Sequence, residues 1–426
     1  MKKHNFSAGP SILNQKVFKE SSDAVLELDN IGLSLLEISH RSPEFVSIMN
    51  EARELSLELS GLSSDEYATL FLQGGASMQF LMIAYNFLKN RGGYINSGTW
   101  STKAIKEAKL FGDVSEYASS KDKNFNYIPK DYSISDNPDY LHITTNNTIF
   151  GTQYHKLPDC TCPLFADMSS DIFCRKQDYS KFSLIYAGAQ KNLGPAGTTM
   201  VIIKKSLMNE ICREVPSMLN YKVHFEKDSM FNTPPVFAIY TCLLSMRWLK
   251  NNGGLAEIEK KNINKSTLMY EEIDNNEMFT GFASKDDRSI MNVTFNLIDE
   301  KYKSAFDNLL KENNISGING HRSVGGYRAS IYNAMEAEVI NKFIELGDED
   351  TRMEQYGSSL EALKGLFTSD EDRYKVVKNL AYIARADDFI HDNEMAMVEQ
   401  AVSGLDMTDK VKLVKTDSTL FVDPAF

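Results

Sequence analysis

The chain carries one lysine whose surroundings suit covalent chemistry. Lys191 follows the apolar part of the segment Ser183-Leu-Ile-Tyr-Ala-Gly-Ala-Gln-Lys191-Asn-Leu-Gly-Pro-Ala-Gly197. An amine attacks a carbonyl group only when it is deprotonated, and burial at the end of a strand lowers the pKa of a lysine. Lys191 is therefore a candidate Schiff-base former. Lysines flanked by glycines are more often exposed loop residues, so the rest of the chain must decide between these interpretations.

A glycine loop supplies a candidate anion site. Gly74-Gly75-Ala76-Ser77 follows the strand-like run Ala68–Leu72 and opens the helical pattern Ala76–Lys89. Free backbone N–H groups at a helix start, the helix dipole and the Ser77 hydroxyl all attract an anion. A tight strand-to-helix turn explains the same residues without a ligand. The loop is neither G-x-G-x-x-G nor a P-loop, so no nucleotide is implied.

A carboxylate and an indole could serve an aromatic ligand. Asp167 directly follows the run Leu164–Ala166, at the position where an open parallel sheet places ligand-facing groups. Its carboxylate could pair with a protonated ring nitrogen, or it could simply cap a helix beginning near Met168. Trp100 is one of two tryptophans and could stack on such a ring, although packing in the core is the commoner role of an indole.

Two groups of basic residues could bind acidic substrates. Arginine guanidinium groups fit carboxylate and phosphate oxygens in a bidentate manner, and Gly325 and Gly326 would let a ligand approach the backbone. Surface salt bridges are the alternative for each group. The groups are His40-Arg41, and His321-Arg322 with Arg328.

The composition is that of an ordinary globular protein. Of the 426 residues, 42% are hydrophobic and 24% charged, and the length favours two or three domains. No apolar run approaches the roughly 18 residues of a membrane span, and Met1–Pro10 lacks the apolar stretch of a secretion signal. The five cysteines have neither disulfide nor zinc spacing, so we expect free thiols, no metal and a cytoplasmic location.

The negative charge is concentrated at one end of the chain. Residues 345–426 contain 18 acidic and 9 basic residues, which accounts for −9 of the net charge of −12. Nucleic-acid binding requires clustered lysine and arginine, which this distribution does not provide. We therefore expect neither a nucleic-acid nor a membrane partner.

Alternating patterns between about residue 20 and residue 340 predict an α/β fold. Ala76–Lys89 and Ser101–Phe111 have helical patterns. The runs between them are apolar on both faces, which is typical of a mainly parallel sheet covered by helices. These runs are Ala68–Leu72, Leu141–Thr145, Leu164–Ala166, Leu184–Tyr186 and Thr199–Ile203.

Two further parts follow this sheet. Residues 255–345 show helix, strand and helix character around Ser289–Phe295, which predicts a smaller α+β domain. Beyond Gly347 the strand signals vanish, and a capping box from Thr368 to Glu371 predicts the start of a helix. Helical spacing places apolar residues on one face of each of two helices, namely Val376, Val377, Leu380, Ile383 and Ala384, then Met395, Val398, Val402 and Leu405.

Residues 3–346 closely resemble the phosphoserine aminotransferases, which are pyridoxal-phosphate enzymes with the aspartate aminotransferase type of fold. The matching stretches are Asn5–Pro10, Ser39–Arg41, Gly74–Phe80, Tyr186–Asn192, Ser229–Pro235 and Gly320–Ser330. The resemblance implies a large domain at 12–254 with a mainly parallel sheet of seven-stranded type. It also implies a small domain formed by 1–11 with 255–346.

The resemblance implies a role for each candidate residue. Lys191 would hold pyridoxal phosphate as a Schiff base and move the substrate α-proton. Asp167 would keep the ring nitrogen protonated, Trp100 would stack on the ring, and Thr148 would lie near its phenolic oxygen. The residues implied at the cofactor phosphate are Ala76, Ser77 and Gln190 of one subunit, with Asn232 and Thr233 of its neighbour in a homodimer.

The basic residues would receive the substrates. Arg328 matches the clamp for the α-carboxylate, and His40, Arg41, His321 and Arg322 match the set that binds the phosphate of phosphoserine or the distal carboxylate of glutamate. Many relatives carry an arginine where Ser77 stands, so the phosphate would depend more on the basic set here. The Gly-Gly-Ala-Ser form also resembles a recognised family variant.

The implied reaction converts 3-phosphohydroxypyruvate and glutamate to phosphoserine and 2-oxoglutarate in serine biosynthesis. The 4-phosphohydroxythreonine step of pyridoxine biosynthesis is a further expectation. Transamination of another small amino acid, as in alanine–glyoxylate or serine–glyoxylate relatives, is the alternative within the same fold. A scaffold role carried by the acidic tail is the alternative from another class.

The tail, 348–426, lies outside that resemblance. Leu380–Glu394 is similar to the helix–acidic turn–helix of TerB-like helical domains, with Ala386–Asp388 and Asp392–Glu394 at the turn. These acidic residues could hold a divalent cation, but the spacing lacks the glycine and ligand order of an EF-hand, which favours a solvated helix connection. The tail could bind a partner of unknown identity.

Overall fold

The computed structural model describes residues 3–322, 324–346, 364, 366–383, 392–415 and 420–424. The chain divides into two compact units, Met1–Ile340 and Asn341–Phe426. In chain order the strands are β1 (His4–Asn5), β2 (Tyr67–Leu72), β3 (Arg91–Asn96), β4 (Asp113–Ser119), β5 (Tyr140–Thr144), β6 (Asn146–Asn147), β7 (Thr152–Gln153), β8 (Leu164–Asp167), β9 (Leu184–Gly188), β10 (Thr199–Lys204), β11 (Phe279–Gly281), β12 (Asn292–Leu297), β13 (Ile315–Ser316), β14 (Tyr327–Ser330), β15 (Val411–Lys415) and β16 (Leu420–Pro424).

The helices alternate with these strands along the chain. In chain order they are α1 (Gln15–Leu26), α2 (Pro43–Ser60), α3 (Gly75–Phe87), α4 (Thr99–Ala108), α5 (Tyr221–Glu226), α6 (Val236–Asn251), α7 (Gly254–Asn275), α8 (Lys303–Glu312), α9 (Ala337–Glu345), α10 (Asp370–Ile383) and α11 (Asp392–Gly404). None of the helices in the described residues is long and apolar enough to cross a membrane.

The first unit is built on a seven-stranded sheet with the order β2-β10-β9-β8-β5-β3-β4. Only β10 runs antiparallel to its neighbours, and the other strands share one direction. The prediction of a mainly parallel sheet is therefore confirmed. The sheet separates two apolar clusters, one packed against α2 and α6 and the other against α3 and α4.

Residues 279–330 contribute a smaller antiparallel sheet with the order β11-β12-β14. The helix α7 packs against β11 and β12, so helix and strand alternate as the sequence predicts for this part. Arg328 lies on β14, opposite Thr294 of β12. This small sheet thus carries one of the basic residues singled out in the sequence.

In the second unit, α10 and α11 pack with a β-hairpin of β15 and β16. The predicted apolar faces are confirmed, since Val377, Val398, Val402 and Leu405 are buried together. The prediction of a purely helical tail is wrong, because β15 and β16 pair antiparallel from Val411–Pro424 to Lys415–Leu420. Each strand is only five residues long and neither alternates strictly between apolar and polar residues, so the strand signal is too weak to stand out beside two helices.

The start of α10 also differs by one residue from the prediction. Ser369 Oγ, not Thr368, accepts the hydrogen bond from the backbone N–H of Asp372, at 3.2 Å. The helix begins at Asp370, so its cap falls one position later than the capping-box pattern indicates. Ala384 and Ala386–Asp388 lie outside the described residues.

Candidate active site

Lys191 lies three residues beyond the carboxyl end of β9. Burial lowers the pKa of its amine, and Arg328 lowers it further, while the carboxylates of Asp167 and Asp171 act in the opposite direction. The net shift is downward, which favours the neutral, nucleophilic amine. Lys191 Nζ lies 5.2 Å from the ring centroid of Trp100, so the predicted amine and indole are neighbours.

Residues near the N-terminus of the chain contact the backbone around Lys191. Ser11 donates its hydroxyl hydrogen to the carbonyl oxygen of Lys191, and its N–H donates to the carbonyl of Gln190 at 3.1 Å. A Cβ atom at Gly9 would come within 3.2 Å of Lys191 Cγ. The motif Asn5–Pro10 therefore leads the chain closely past the lysine, and Ser11 was missed because it lies just outside that motif.

Asp167 is the last residue of β8 and is only 5% exposed. Its Oδ1 accepts a hydrogen bond from the N–H of Ser169 at 2.9 Å. Ser169 Oγ in turn accepts from the N–H of Gly188 at 3.0 Å, which ties the turn after β8 to the end of β9. Because neighbouring parallel strands end at one edge of the sheet, Asp167 and Lys191 lie on the same side of the molecule.

A chain of hydrogen bonds connects the indole to the predicted substrate clamp. Trp100 Nε1 donates to Thr148 Oγ1 at 3.3 Å, and Arg328 Nη1 donates to the carbonyl oxygen of Thr148 at 3.1 Å. Arg328 Nε is buried and has no hydrogen-bond partner among the described residues. Burial lowers the pKa of Arg328. A guanidinium with an unused buried donor is suited to receiving a carboxylate.

The glycine loop has the geometry of an anion cradle. Gly74 and Gly75 adopt φ angles of +95° and +68°, which favour glycine, and α3 begins directly after them. A Cβ at Gly188 would lie 2.9 Å from Gln190 Oε1 and 3.5 Å from the backbone nitrogen of Ala76. The missing side chain therefore leaves space beside the start of α3. Ser77 is exposed in the first turn of that helix.

Asn232 and Thr233 lie beside the same loop within this chain. Asn232 Nδ2 donates to Gln73 Oε1 at 3.1 Å, and Gln73 Nε2 donates to the carbonyl oxygen of Thr233 at 3.1 Å. Gln73 directly precedes the two glycines. The predicted assignment of Asn232 and Thr233 to a neighbouring subunit's site stays a prediction.

The basic residues fall into two groups in the single chain. Burial, together with the positive charges of Arg328, Arg322 and Lys103, lowers the pKa of His321, so these cations share one region. Among the described residues, no hydrogen bond or ion pair joins the His40 or Arg41 side chain to that region. His40 Nε2 is buried without a hydrogen-bond partner in the described part of the chain, and the Arg41 side chain is exposed.

Lys103 is a site neighbour that the sequence analysis did not single out. Its Nζ lies 4.6 Å from the ring centroid of Trp100, one helical turn earlier in α4. The spacing of three residues between an aromatic residue and a lysine is the signal that could have indicated this contact, since such residues share a helix face.

The comparisons with known proteins agree with this arrangement. The family model for aminotransferase class-V matches residues 3–343. The chain is 56% identical to the phosphoserine aminotransferase of Flavobacterium johnsoniae over 348 residues, which covers 81% of this chain and 98% of that protein. It is 52% identical to that of Parabacteroides distasonis over 347 residues, covering 81% and 97% of the two proteins.

Solved structures show the same likeness. A phosphoserine aminotransferase from Bacillus circulans subsp. alkalophilus superimposes with a TM-score of 0.80 at 40% identity, covering 83% of this chain and 99% of that one. The pyridoxal-phosphate-bound enzyme from Trichomonas vaginalis gives a TM-score of 0.78 at 31% identity, covering 82% and 100%. The chain belongs to the class-V aminotransferases, which are pyridoxal-phosphate-dependent enzymes, and within them to the phosphoserine aminotransferase family.

A second family model, tellurite resistance protein TerB, matches residues 326–411. The TerB resemblance of the C-terminal part is therefore confirmed. The match begins before the predicted boundary at residue 348 and ends where β15 begins.

The residues of the site fit the cofactor of this class. A lysine with a lowered pKa lies beside an indole and a buried carboxylate, and the start of α3 leaves an open cradle for a phosphate. These are the groups that a covalently held, phosphorylated pyridine aldehyde requires.

Proposed function

We propose that this protein catalyses the reversible transfer of the amino group between glutamate and 3-phosphohydroxypyruvate, giving phosphoserine and 2-oxoglutarate. The observation that carries the proposal is the position of Lys191, with its lowered pKa, beside Trp100 and within the electrostatic influence of Asp167 and Arg328. The identity to phosphoserine aminotransferases over nearly their whole length supports the choice of substrates.

When bound, pyridoxal phosphate supplies an electron sink for the substrate α-carbon. Lys191 Nζ would hold the cofactor covalently, and its free amine would accept the substrate α-proton. The Asp167 carboxylate would keep the ring nitrogen protonated. Trp100 would shield the ring from water, and Thr148 Oγ1 orients the indole by accepting a hydrogen bond from its N–H.

The substrate groups are bound by cations. The Arg328 guanidinium, with its Nε free within the described residues, binds the α-carboxylate. His321 and Arg322 lie in the same positively charged region and bind the phosphate or the distal carboxylate. We propose that a homodimer completes each site with His40 and Arg41, and with Asn232 and Thr233 at the cofactor phosphate. Ala76, Ser77 and Gln190 form the other part of that phosphate site.

The experiment that tests the proposal is spectroscopic. Purified protein is expected to be yellow and to change its absorbance when glutamate or phosphoserine is added. Lys191→Ala should abolish the covalent attachment and lower turnover on the order of 10³-fold, because the proton carrier is lost. Lys181→Ala, at an exposed lysine ten positions earlier, is the matched control. An unchanged cofactor spectrum in Lys191→Ala would refute the proposal.

A comparison of substrates separates the two transaminase alternatives. Arg322 and the neighbouring His321, which are assigned to the phosphate, favour a phosphorylated substrate over alanine or serine. We expect kcat/KM for phosphoserine to exceed that for alanine on the order of 10³-fold, since charged contacts would be left unpaired by alanine. Equal turnover of the two amino acids would favour an alanine–glyoxylate type of activity.

The remaining assignments are proposals of the same kind. We propose a large domain at 12–254, a small domain formed by 1–11 and 255–346, and an acidic extension at 348–426 that binds an unidentified partner. A cytoplasmic location agrees with the five cysteines, which are all free thiols.

A further inference from the structure

A buried polar pair lies behind Asp167, on the strands that flank its own. The order of strands is β9-β8-β5, so β8 with Asp167 lies between Tyr186 of β9 and His142 of β5. Both side chains are fully buried. His142 Nε2 lies 2.9 Å from the Tyr186 hydroxyl oxygen, and the two rings are nearly parallel with centroids 5.9 Å apart. The catalytic account given above uses neither residue.

The tyrosine hydroxyl connects this pair to the carboxylate. Asp167 pairs directly with Tyr186 in the register of β8 and β9. Burial raises the pKa of Tyr186 well above its ordinary value, and the negative charge of Asp167 and a hydrogen bond to its side chain raise it further. Asp167 is the register partner of Tyr186 on the adjacent strand and the phenol stays protonated, so the Tyr186 O–H is the donor available to the Asp167 carboxylate.

The histidine has one proton, and the contacts decide where it resides. Burial lowers the pKa of His142 to about 3, so the ring is neutral. Because the Tyr186 hydrogen points to Asp167, its oxygen can only accept from His142, which places the ring proton on Nε2. Nδ1 then carries a lone pair, in agreement with the lack of a hydrogen-bond partner for this atom in the described part of the protein.

We propose that His142 and Tyr186 are positioning residues that fix the Asp167 carboxylate under the ring nitrogen of the cofactor. The inference rests on the role of Asp167 in the proposed function. In this relay, one hydrogen bond runs from His142 Nε2–H to the Tyr186 oxygen and the next from the Tyr186 O–H to the Asp167 carboxylate. The backbone N–H of Ser169 supplies the second fixed donor to that carboxylate. One donor from β9 and one from the turn after β8 leave the carboxylate little freedom to turn.

Tyr186→Phe tests the proposal in the loaded enzyme. The variant removes one donor to a carboxylate and should raise the dissociation constant of pyridoxal phosphate about ten-fold. It should also change the absorbance spectrum of the bound cofactor, which a loss of packing alone does not do. Both quantities are measured by titrating the apoenzyme with the cofactor.

Tyr94→Phe is the matched control. Tyr94 belongs to the same buried cluster, and its hydroxyl lies 2.8 Å from that of Tyr140, so the substitution also removes a buried hydroxyl from a hydrogen-bonded pair. Both variants should lower the unfolding temperature to a similar degree. Only Tyr186→Phe should alter the cofactor spectrum and affinity. Equal effects of the two variants on affinity and spectrum would overturn the proposal.

His142→Phe tests whether His142 acts on Asp167 through Tyr186. The proposal expects a smaller loss of cofactor affinity, about three-fold, because Tyr186 keeps its contact with Asp167 but loses its orienting donor. In the double variant with Tyr186→Phe, affinity should be no lower than in Tyr186→Phe alone. Additive effects would show that His142 does not act through Tyr186.

Asp167→Asn distinguishes failure of this inference from failure of the proposed function. Unchanged affinity and spectrum in Tyr186→Phe, with large changes in Asp167→Asn, would remove the relay and leave the role of Asp167 intact. Unchanged values in both variants would remove the proposed role of Asp167 and the relay with it.

Discussion

Charged side chains are buried at the carboxyl edge of the seven-stranded sheet, whereas an ion pair of the C-terminal unit is exposed to solvent. At the sheet edge, Asp167 is buried and the pKa values of Lys191 and Arg328 are lowered by burial. In the C-terminal unit, the pair of Lys375 with Glu371 is exposed on both sides, at 59% and 79% of the side-chain surface. Solvent-exposed ion pairs of this kind contribute little to the free energy of folding. Burial, in contrast, changes the pKa and the reactivity of an ionisable group.

The difference shows which part of the chain is built for chemistry. Strand and loop ends of the first unit bring polar groups out of water and then satisfy them with specific donors, as Ser169 does for Asp167. The C-terminal unit instead buries an apolar cluster, and its Lys375–Glu371 pair is exposed to solvent. Excess negative charge there affects solubility and partner choice, while the sheet edge can alter proton affinities.

The largest effect should come from neutralising the buried carboxylate. We expect Asp167→Asn to lower kcat on the order of 10³-fold, because a charge that stabilises the protonated ring is lost. Steady-state turnover of glutamate measures the effect. Asp372→Asn, at an acid of the C-terminal unit whose side chain is 50% exposed, should leave kcat unchanged. Similar losses in the two variants would abolish the contrast between the two regions.

Arg328→Met should act on binding more than on the chemical step. Removal of the guanidinium that binds the substrate α-carboxylate should raise KM for glutamate about 100-fold. The control is Arg247→Met, since Arg247 forms a half-exposed pair with Glu51 away from the sheet edge. A KM that rises equally in both variants would indicate a general effect of arginine loss and contradict the assignment.

Leu405→Ala should destabilise the C-terminal unit without lowering the activity of the first unit. Leu405 is fully buried in the C-terminal cluster, so the cavity should lower the free energy of unfolding of that unit by about 2–5 kcal/mol. Turnover should remain at the wild-type level. Leu366→Ala, at a leucine that is 75% exposed, is the control and should be nearly neutral. Denaturant unfolding followed alongside activity measures both quantities.

A buried lysine of the first unit should make stability depend on pH. Burial lowers the pKa of Lys265 to about 7 from its ordinary value of 10.5, and its Nζ donates to the carbonyl oxygens of Ile331 and Tyr332 at 2.9 and 2.7 Å. Between these pKa values the unfolded chain binds a proton that the folded chain does not. The free energy of unfolding should therefore rise with pH across this window, by at most about 1.4 kcal/mol per unit from this group.

Lys265→Met should remove that part of the slope. Lys260→Met, at an exposed lysine five positions earlier in α7, should retain it. Denaturant midpoints measured from pH 7 to pH 10 compare the variants. A slope that is the same in all three proteins would show that Lys265 remains protonated when buried.

The smallest effect is expected from deletion of the tail after Leu346. The relatives named above are covered over 97–98% of their length by about 350 residues of this chain, so the first unit corresponds to an entire enzyme. We expect kcat and dimerisation to remain within about two-fold of the full chain. A larger loss would assign the tail to the catalytic body.

Several elements could be predicted from the sequence because their patterns are strong. Strands β2, β5, β8, β9 and β10 are apolar runs between turn signals, and all are present. The strands β3 and β4 were missed. Gly92 and Gly93 weaken the strand pattern of β3. A Cβ added at Gly93 would lie 3.0 Å from the Tyr140 carbonyl oxygen, a contact that exists only once the sheet has formed.

The sequence by itself determined which residues could carry the chemistry. Lys191, Asp167, Trp100 and Arg328 were recognisable from residue type, turn context and family motifs. Local sequence also determined the two amphipathic helices of the tail, since helical periodicity is a short-range property.

Only the tertiary structure decided how these groups act. The lowered pKa of Lys191 depends on burial and on charges at least 20 residues away in the sequence. The hydrogen bonds from Arg328 to Thr148 and from Trp100 to Thr148 also join residues far apart in the chain. The partners of Asp167 on β9 depend on strand order and register, which no local pattern fixes. Desolvation and long-range contact arise only when distant segments pack together, and for that reason the reactivity of this site belongs to the fold.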